Sequence, residues 1–448
     1  MRQFFHELPR SKFVRDTVVL QIGRAGATAL SFVALWLTIR LMGVEHYGVW
    51  KLTLALVAIW QTLDISGVGQ VTSTRLAIAV GKRDEGELRD LLAFYVKVVL
   101  AWALLSVIVL FAAGPWLSAQ LYDGDTRVGQ LAAWFSLTLA ADALYTMVIV
   151  SLQSRRLMRQ LAVLHNLNQL ALFVCIVVAM LVQASPESMV VARLVHSYGT
   201  MLLAFVIYTR LRAEDGLRFP GLPDIFRRAR TVSVRPYWRS GVAMALDKNL
   251  GNLFTQGPVA LVGALAGETA AGLLGVGIDV IARSSLLTGP VLENVQAVVP
   301  QAVGRRDLTG LRRNFRRVLI AMSAAALVFY GALALLAPVV VPLVFGDEAE
   351  PAAPVVVILA LFGALSAVGG LFGPVYRAFD LVREALAIKV VVMALGLPLG
   401  ALLVSQAGAT GGAWMINFLF LVSIALTAAM LLPVLTGRTK DALQDASP

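Results

Sequence analysis

Residues 17–42, TVVLQIGRAGATALSFVALWLTIRLM, form one apolar run with an arginine, Arg24, inside it. A bilayer crossing takes ~20 apolar residues rising ~1.5 Å each, so this stretch predicts a transmembrane helix. Counted from Asp16, Arg24 stands roughly 12 Å into a hydrocarbon core of about 30 Å. A guanidinium at that depth costs roughly 3 kcal/mol on insertion scales, so it is expected to face protein, a wet cavity or an anionic ligand.

The composition extends this reading to the whole chain. Of 448 residues, 58% are hydrophobic and 15% charged, against ~25% charged in a soluble domain. Mean hydropathy is +0.78. These values predict an all-α polytopic membrane protein. The N-terminal MRQFFHELPRSKFVRD is polar and basic and does not read as a cleavable signal. The one cysteine, Cys175, excludes a disulfide framework and a thiolate metal site. No Walker loop, HExxH helix, GxSxG elbow or Cys/His cluster occurs. No cofactor, metal or catalytic residue is therefore expected. The net charge of +11 would suggest nucleic acid for a soluble protein, but here its placement carries the information and no nucleic-acid partner is expected.

Apolar runs divide the chain into about twelve spans, near 17–42, 47–80, 91–113, 128–152, 160–183, 187–209, 237–265, 270–303, 316–345, 353–376, 384–405 and 410–433. The even-numbered connections and the two tails collect 28 of the 38 basic residues, whereas the opposite side has only Arg127. By the positive-inside rule both termini are cytoplasmic. The outer loops are too short for a folded domain, which argues against an integral glycosyltransferase or polymerase. The sequence predicts an N-terminal six-helix half over 1–215, a cytoplasmic linker over 216–236 whose basic residues lie against anionic headgroups, and a C-terminal half over 237–448.

An internal repeat supports the two halves. Residues 79–89, AVGKRDEGELR, and 302–312, AVGRRDLTGLR, agree at seven of eleven positions with an offset of 223. Because six spans separate the copies, the halves are expected to be parallel repeats about an axis along the membrane normal, around a central cavity. Each long span carries a breaker at the equivalent place, Ser66-Gly67-Val68-Gly69 and Gly289-Pro290, where a bend is expected. The same offset carries Arg24 onto Asp247, with Lys248 beside it, so an Arg24–Asp247 pair across the halves is the structural alternative to a cargo-binding arginine.

Charges inside spans are the candidate functional residues. The first half contributes Arg24, Lys51, Asp64, Asp142 and Arg193; the second contributes Asp247, Lys248, Asp279 and Arg283. Protonation, ion pairing and proton coupling all stay open for Asp64, Asp142, Asp247 and Asp279. Asp279 and Arg283 stand four apart, acid first, so a local ion pair is expected. His196 reads as a hydrogen-bonded structural residue.

The run from 39 to 84 carries Arg40, Met42-Gly43, Tyr47-Gly48, Gly67 and Arg75, and resembles the first-hairpin pattern of bacterial polysaccharide flippases. These belong to the multidrug/oligosaccharidyl-lipid/polysaccharide exporter superfamily. The resemblance implies a transporter, not an enzyme, that flips undecaprenyl-diphosphate-linked oligosaccharide across the bacterial inner membrane by alternating access. It implies a cationic cavity on spans 1, 2, 7 and 8, where Arg24, Lys51, Lys248 and Arg283 fall. Membrane lipids, a polysaccharide polymerase and glycosyltransferases would be its neighbours. Twelve spans, not fourteen, point away from peptidoglycan precursor as cargo. A cation- or proton-coupled drug or metabolite antiporter of the same fold is the alternative, kept open by the four carboxylates.

Overall fold

The computed structural model describes residues 12–436 except 65, 156, 213–218, 285–290, 293–294, 296–298, 300–302, 304–307 and 380. At some further helical positions only the backbone is described, Arg24 among them. The second breaker, Gly289-Pro290, and Glu293 lie outside the described residues.

The described residues are helical from end to end. In chain order the helices are α1 Lys12–Gln61, α2 Val68–Lys82, α3 Glu85–Leu121, α4 Arg127–Ser136, α5 Thr138–Ser154, α6 Met158–Val182, α7 Pro186–Leu211, α8 Leu222–Ala229, α9 Arg235–Ser284, α10 Leu308–Phe345, α11 Ala353–Gly369, α12 Phe372–Ala378 and α13 Val382–Thr436, with a 3-10 turn at Asp347–Ala352. Nine segments among them are long and apolar enough to cross a membrane. Large apolar side chains stand on the outside, such as Leu335 at 82% exposure and Val182 at 81%. Such a surface is stable only in lipid, and the chain is a multi-pass membrane protein.

Three elements are too long for one crossing, and each contains a glycine with non-helical dihedrals: Gly43 in α1, Gly267 in α9 and Gly408 in α13. All three have positive φ, which glycine adopts without a Cβ clash. In α13 the chain folds back on itself, since Gly400 packs against Met415 and Gly396 against Leu419. The expected break at Ser66-Gly67 is present. Helix α1 stops at Gln61 and α2 restarts at Val68 on a left-handed Gly67, while the Asp64 carboxylate accepts the Ser66 amide at 3.0 Å.

Helices run further toward the arginine-rich end than hydropathy indicates. The apolar run near 91 begins at Glu85 because Asp84 caps the helix, accepting the Glu87 amide at 2.9 Å. Asp84→Ala is expected to cost about 1 kcal/mol, read as a roughly fivefold rise in amide exchange in the first turn of α3. Unchanged exchange there would remove the cap from the account.

The chain forms two compact units, Met1–Met42 with Leu63–Ala245, and Gly43–Thr62 with Leu246–Pro448. In the first unit, Leu88, Leu91, Leu92 and Phe94 of α3 pack with Met147 and Val148 of α5, Tyr208 of α7 and Ile225 of α8. Helix α8 belongs to the stretch read as a linker, yet Ile225 is fully buried and Arg228 binds Asp90 through two hydrogen bonds of 2.7 and 3.0 Å. That arginine is held by a protein carboxylate. In the second unit, Phe315 and Met322 of α10 pack with Phe372 and Val375 of α12 and Leu431 of α13. A smaller cluster joins Phe254 to Met415 and Leu419.

The repeat is visible in the backbone. Asp123 and Gly346, the positions of positive φ that follow α3 and α10, stand 223 apart. Gly43 and Gly267 are its counterparts near the start of each half, but 224 apart.

Candidate functional site

The second unit contains a crossing between the C-terminal part of α1 and α9 whose backbones nearly touch. A Cβ built on Gly48 would stand 1.9 Å from the Glu268 carbonyl oxygen, and one on Gly272 would stand 2.2 Å from the Val44 oxygen. Both pairs are related by 224, so the crossing is symmetric in the repeat. Only glycine at both positions permits this approach. One turn further on, Gly275 leaves room for the Lys51 stem, since a Cβ there would lie 2.5 Å from Lys51 Cγ.

The crossing sets four polar side chains together. Lys51 Nζ donates to Asp279 Oδ1 at 3.1 Å, the Tyr47 hydroxyl donates to Asp279 Oδ2, and Arg283 Nη1 lies 3.6 Å from Oδ1. The same Nη1 donates to the Asp279 backbone oxygen at 3.1 Å, which fixes the guanidinium along the helix. The Lys51 side chain is 8% exposed, Asp279 20% and Arg283 23%. Counted from Gly43 and Gly267, Lys51 lies about 12 Å and Asp279 about 18 Å along their helices. The reach of the lysine stem closes that gap, so the cluster sits near mid-span. Two cations meet one carboxylate where the dielectric is low, an arrangement of donors whose chemistry suits an oxyanion ligand.

Most of the other described candidates have partners of their own. The buried Asp247 carboxylate accepts Lys389 Nζ at 2.5 Å and the Tyr376 hydroxyl at 3.0 Å, all within the second unit. Lys248, next to it, is exposed. The glycines near the start of each half stand 224 apart, and that register sets Lys248 against Arg24 where the offset of 223 sets Asp247. The Arg24 side chain lies outside the described residues. In the first unit, Asp142 pairs with Arg193 at 3.4 Å, Arg193 Nη1 stands 3.3 Å from His196 Nδ1, and His196 Nε2 stands 3.2 Å from the Asn168 oxygen. His196 is thus the hydrogen-bonded structural residue expected. Asp64 serves the α1–α2 break.

Sequence reasoning anticipated the Asp279–Arg283 pair but not Lys51 as its third member, nor Tyr47, Tyr376 and Lys389. A signal existed for Tyr47, which immediately precedes the close-contact Gly48; Lys389 and Tyr376 carried none, because their roles depend on contacts with α9. Among the described residues no group of three or more metal-binding side chains occurs.

Comparison with known proteins places this geometry in context. A family described as "Polysaccharide biosynthesis protein" matches residues 37–354. No curated protein matches the chain significantly. Among solved structures, the chain is similar to an inward-facing multidrug resistance MATE family transporter of the MOP superfamily, with TM-score 0.72 and 14% identity over 95% of this chain and 100% of that one. It is similar to a eukaryotic MATE transporter, with TM-score 0.65 and 15% identity over 98% and 100%. The lipid II flippase MurJ in an inward closed conformation aligns with TM-score 0.60 and 12% identity over 95% and 91%. The fold is MATE-like.

Proposed function

The chain belongs to the polysaccharide biosynthesis protein family, and from that premise we propose that it flips a polyprenyl-diphosphate-linked oligosaccharide across the bacterial cytoplasmic membrane by alternating access, for export of a surface polysaccharide. The observation that carries this reading is the Tyr47–Lys51–Asp279–Arg283 cluster. A diphosphate needs forked donors and positive charge in a site that excludes bulk water, and Lys51 with Arg283 supplies both. Asp279 keeps the two cations paired until the diphosphate competes for them. Arg24 and Lys248 add charge for the same cargo. The carboxylates Asp64, Asp142, Asp247 and Asp279 carry ion coupling or gating in this reading.

In this reading the nine crossing segments, with the three interrupted elements split at Gly43, Gly267 and Gly408, make twelve spans arranged as two parallel six-helix repeats, which the three breaks support. The arginine-rich end faces the cytoplasm, as the distribution of basic residues implies. A membrane glycosyltransfer reaction would supply the cargo, and polymerisation or transfer of the glycan would consume it.

The test is flipping of a fluorescent polyprenyl-diphosphate oligosaccharide in proteoliposomes. Arg283→Gln, which keeps an amide donor and removes the charge, is expected to lower the rate at least tenfold, and Arg24→Gln to abolish it, while both proteins insert and purify normally. An unchanged rate in Arg283→Gln overturns the assignment of the site. Export of a cationic dye without lipid movement supports the antiporter instead.

A further inference from the structure

A second cationic site stands at the arginine-rich end of the second unit, away from mid-span. A cavity of about 560 Å³ is lined by Arg312, Arg313, Arg316 and Arg317 in the first turns of α10, over an apolar wall of Phe315 and Leu319. Leu435 and Thr436, at the end of α13, close its other side. Among the described residues lining it, none is acidic. The arginines form two i,i+4 pairs, 312/316 and 313/317, on neighbouring rows of one helix, where like charges repel and an anion is favoured.

The internal repeat shows what this face does elsewhere. At the offset of 223 these positions correspond to Arg89, Asp90, Ala93 and Phe94 of α3. There Ala93 and Phe94 are fully buried and Asp90 is held by Arg228 of α8, so protein covers the face. In the second unit no counterpart of α8 covers it among the described residues, and Arg313, Arg316 and Arg317 are exposed. Among the described residues this copy has no such cover, and it carries four guanidiniums and an apolar wall.

We propose that this cavity binds a resident anionic membrane lipid whose headgroup carries two phosphates, one for each arginine pair, with its acyl chains along Leu319. Arginine forks bind phosphate oxygens bidentately, and basic pockets at the inner ends of spans suit such headgroups. The site is distinct from the Lys51–Asp279 cluster, and binding is read without transport, so its failure and the failure of flipping are separate results.

The experiment is lipid binding to the purified full-length protein, by native mass spectrometry and thermal stability. Diphosphatidylglycerol is expected to bind at least tenfold more tightly than phosphatidylglycerol, with phosphatidylcholine weaker still. Arg313→Gln with Arg317→Gln, both exposed positions, is expected to remove that preference; Arg227→Gln, an exposed arginine of the first unit, is expected to keep it. Arg313→Lys with Arg317→Lys is expected to restore it only in part, because lysine lacks the fork. Equal affinity for the one- and two-phosphate lipids, or a preference unchanged in the double glutamine variant, overturns the proposal. Inorganic pyrophosphate binding as tightly as the lipid overturns the assignment to a lipid and leaves a free-anion site.

Discussion

Asp279→Leu is expected to destabilise the second unit by about 3–5 kcal/mol, the cost of stripping a buried cation of its partner. Lys51 is the residue that suffers. Its side chain is 8% exposed, its stem is enclosed where Gly275 makes room, and its ammonium has Asp279 Oδ1 at 3.1 Å. Arg283 suffers less, because it is more exposed and also donates to the Asp279 backbone oxygen, which the substitution keeps. The double variant Lys51→Met with Asp279→Leu is therefore expected to recover most of the stability. In proteoliposomes it should still fail to flip the diphosphate lipid, since the ammonium and its counter-charge are both gone. Unfolding of the purified protein by heat or SDS measures the first effect and the flipping assay the second. A single variant as stable as the parent would mean that the pair is not a strut. A double variant that flips normally would remove Lys51 from the cargo site.

Enlarging the glycines of the crossing should damage function more than folding. Gly48→Leu or Gly272→Leu places a Cβ about 2 Å from a facing carbonyl oxygen, closer than any real contact, so α1 and α9 must separate. Overpacking of this kind costs about 1–3 kcal/mol. Displacing the two helices by an ångström breaks the 3.1 Å Lys51–Asp279 contact and moves the Tyr47 hydroxyl off the carboxylate. A misplacement of that size costs on the order of a hundredfold where reactive or binding groups must converge. Flipping is expected to fall about that far while the protein remains helical and membrane-inserted. Gly199→Ala, where a Cβ would meet nothing, is the control and should leave both unchanged. Flipping by Gly48→Leu within twofold of the parent would show that the crossing does not set the site.

Much of this was legible in the chain. The apolar runs near 91–113 and 187–209 lie within α3 and α7, that near 160–183 matches α6 to one residue at its C-terminal end, and the break at Ser66-Gly67 is present. These features are local, because transfer of about twenty side chains into hydrocarbon and the backbone freedom of glycine act on each segment by itself. The repeat was legible too, but its register was not. Sequence identity at 79–89 gives 223, while the turn and contact glycines near the start of each half stand 224 apart, and that one residue is the difference between Asp247 and Lys248 as the position set against Arg24.

By itself the sequence determined that the chain crosses a membrane many times in helices, that it is built as a repeat, and which charged residues stand inside the spans. Only the tertiary structure decided their partners: Lys51 joins Asp279, Asp247 goes to Lys389 and Tyr376, and Asp142 goes to Arg193. The reason is physical. Insertion depends on the summed hydropathy of a segment, which a sequence states directly. Pairing depends on how each helix is rotated and how closely two backbones approach. Here that is set by Gly48 and Gly272, more than 200 residues apart, and by contacts that exist only once both helices are in place.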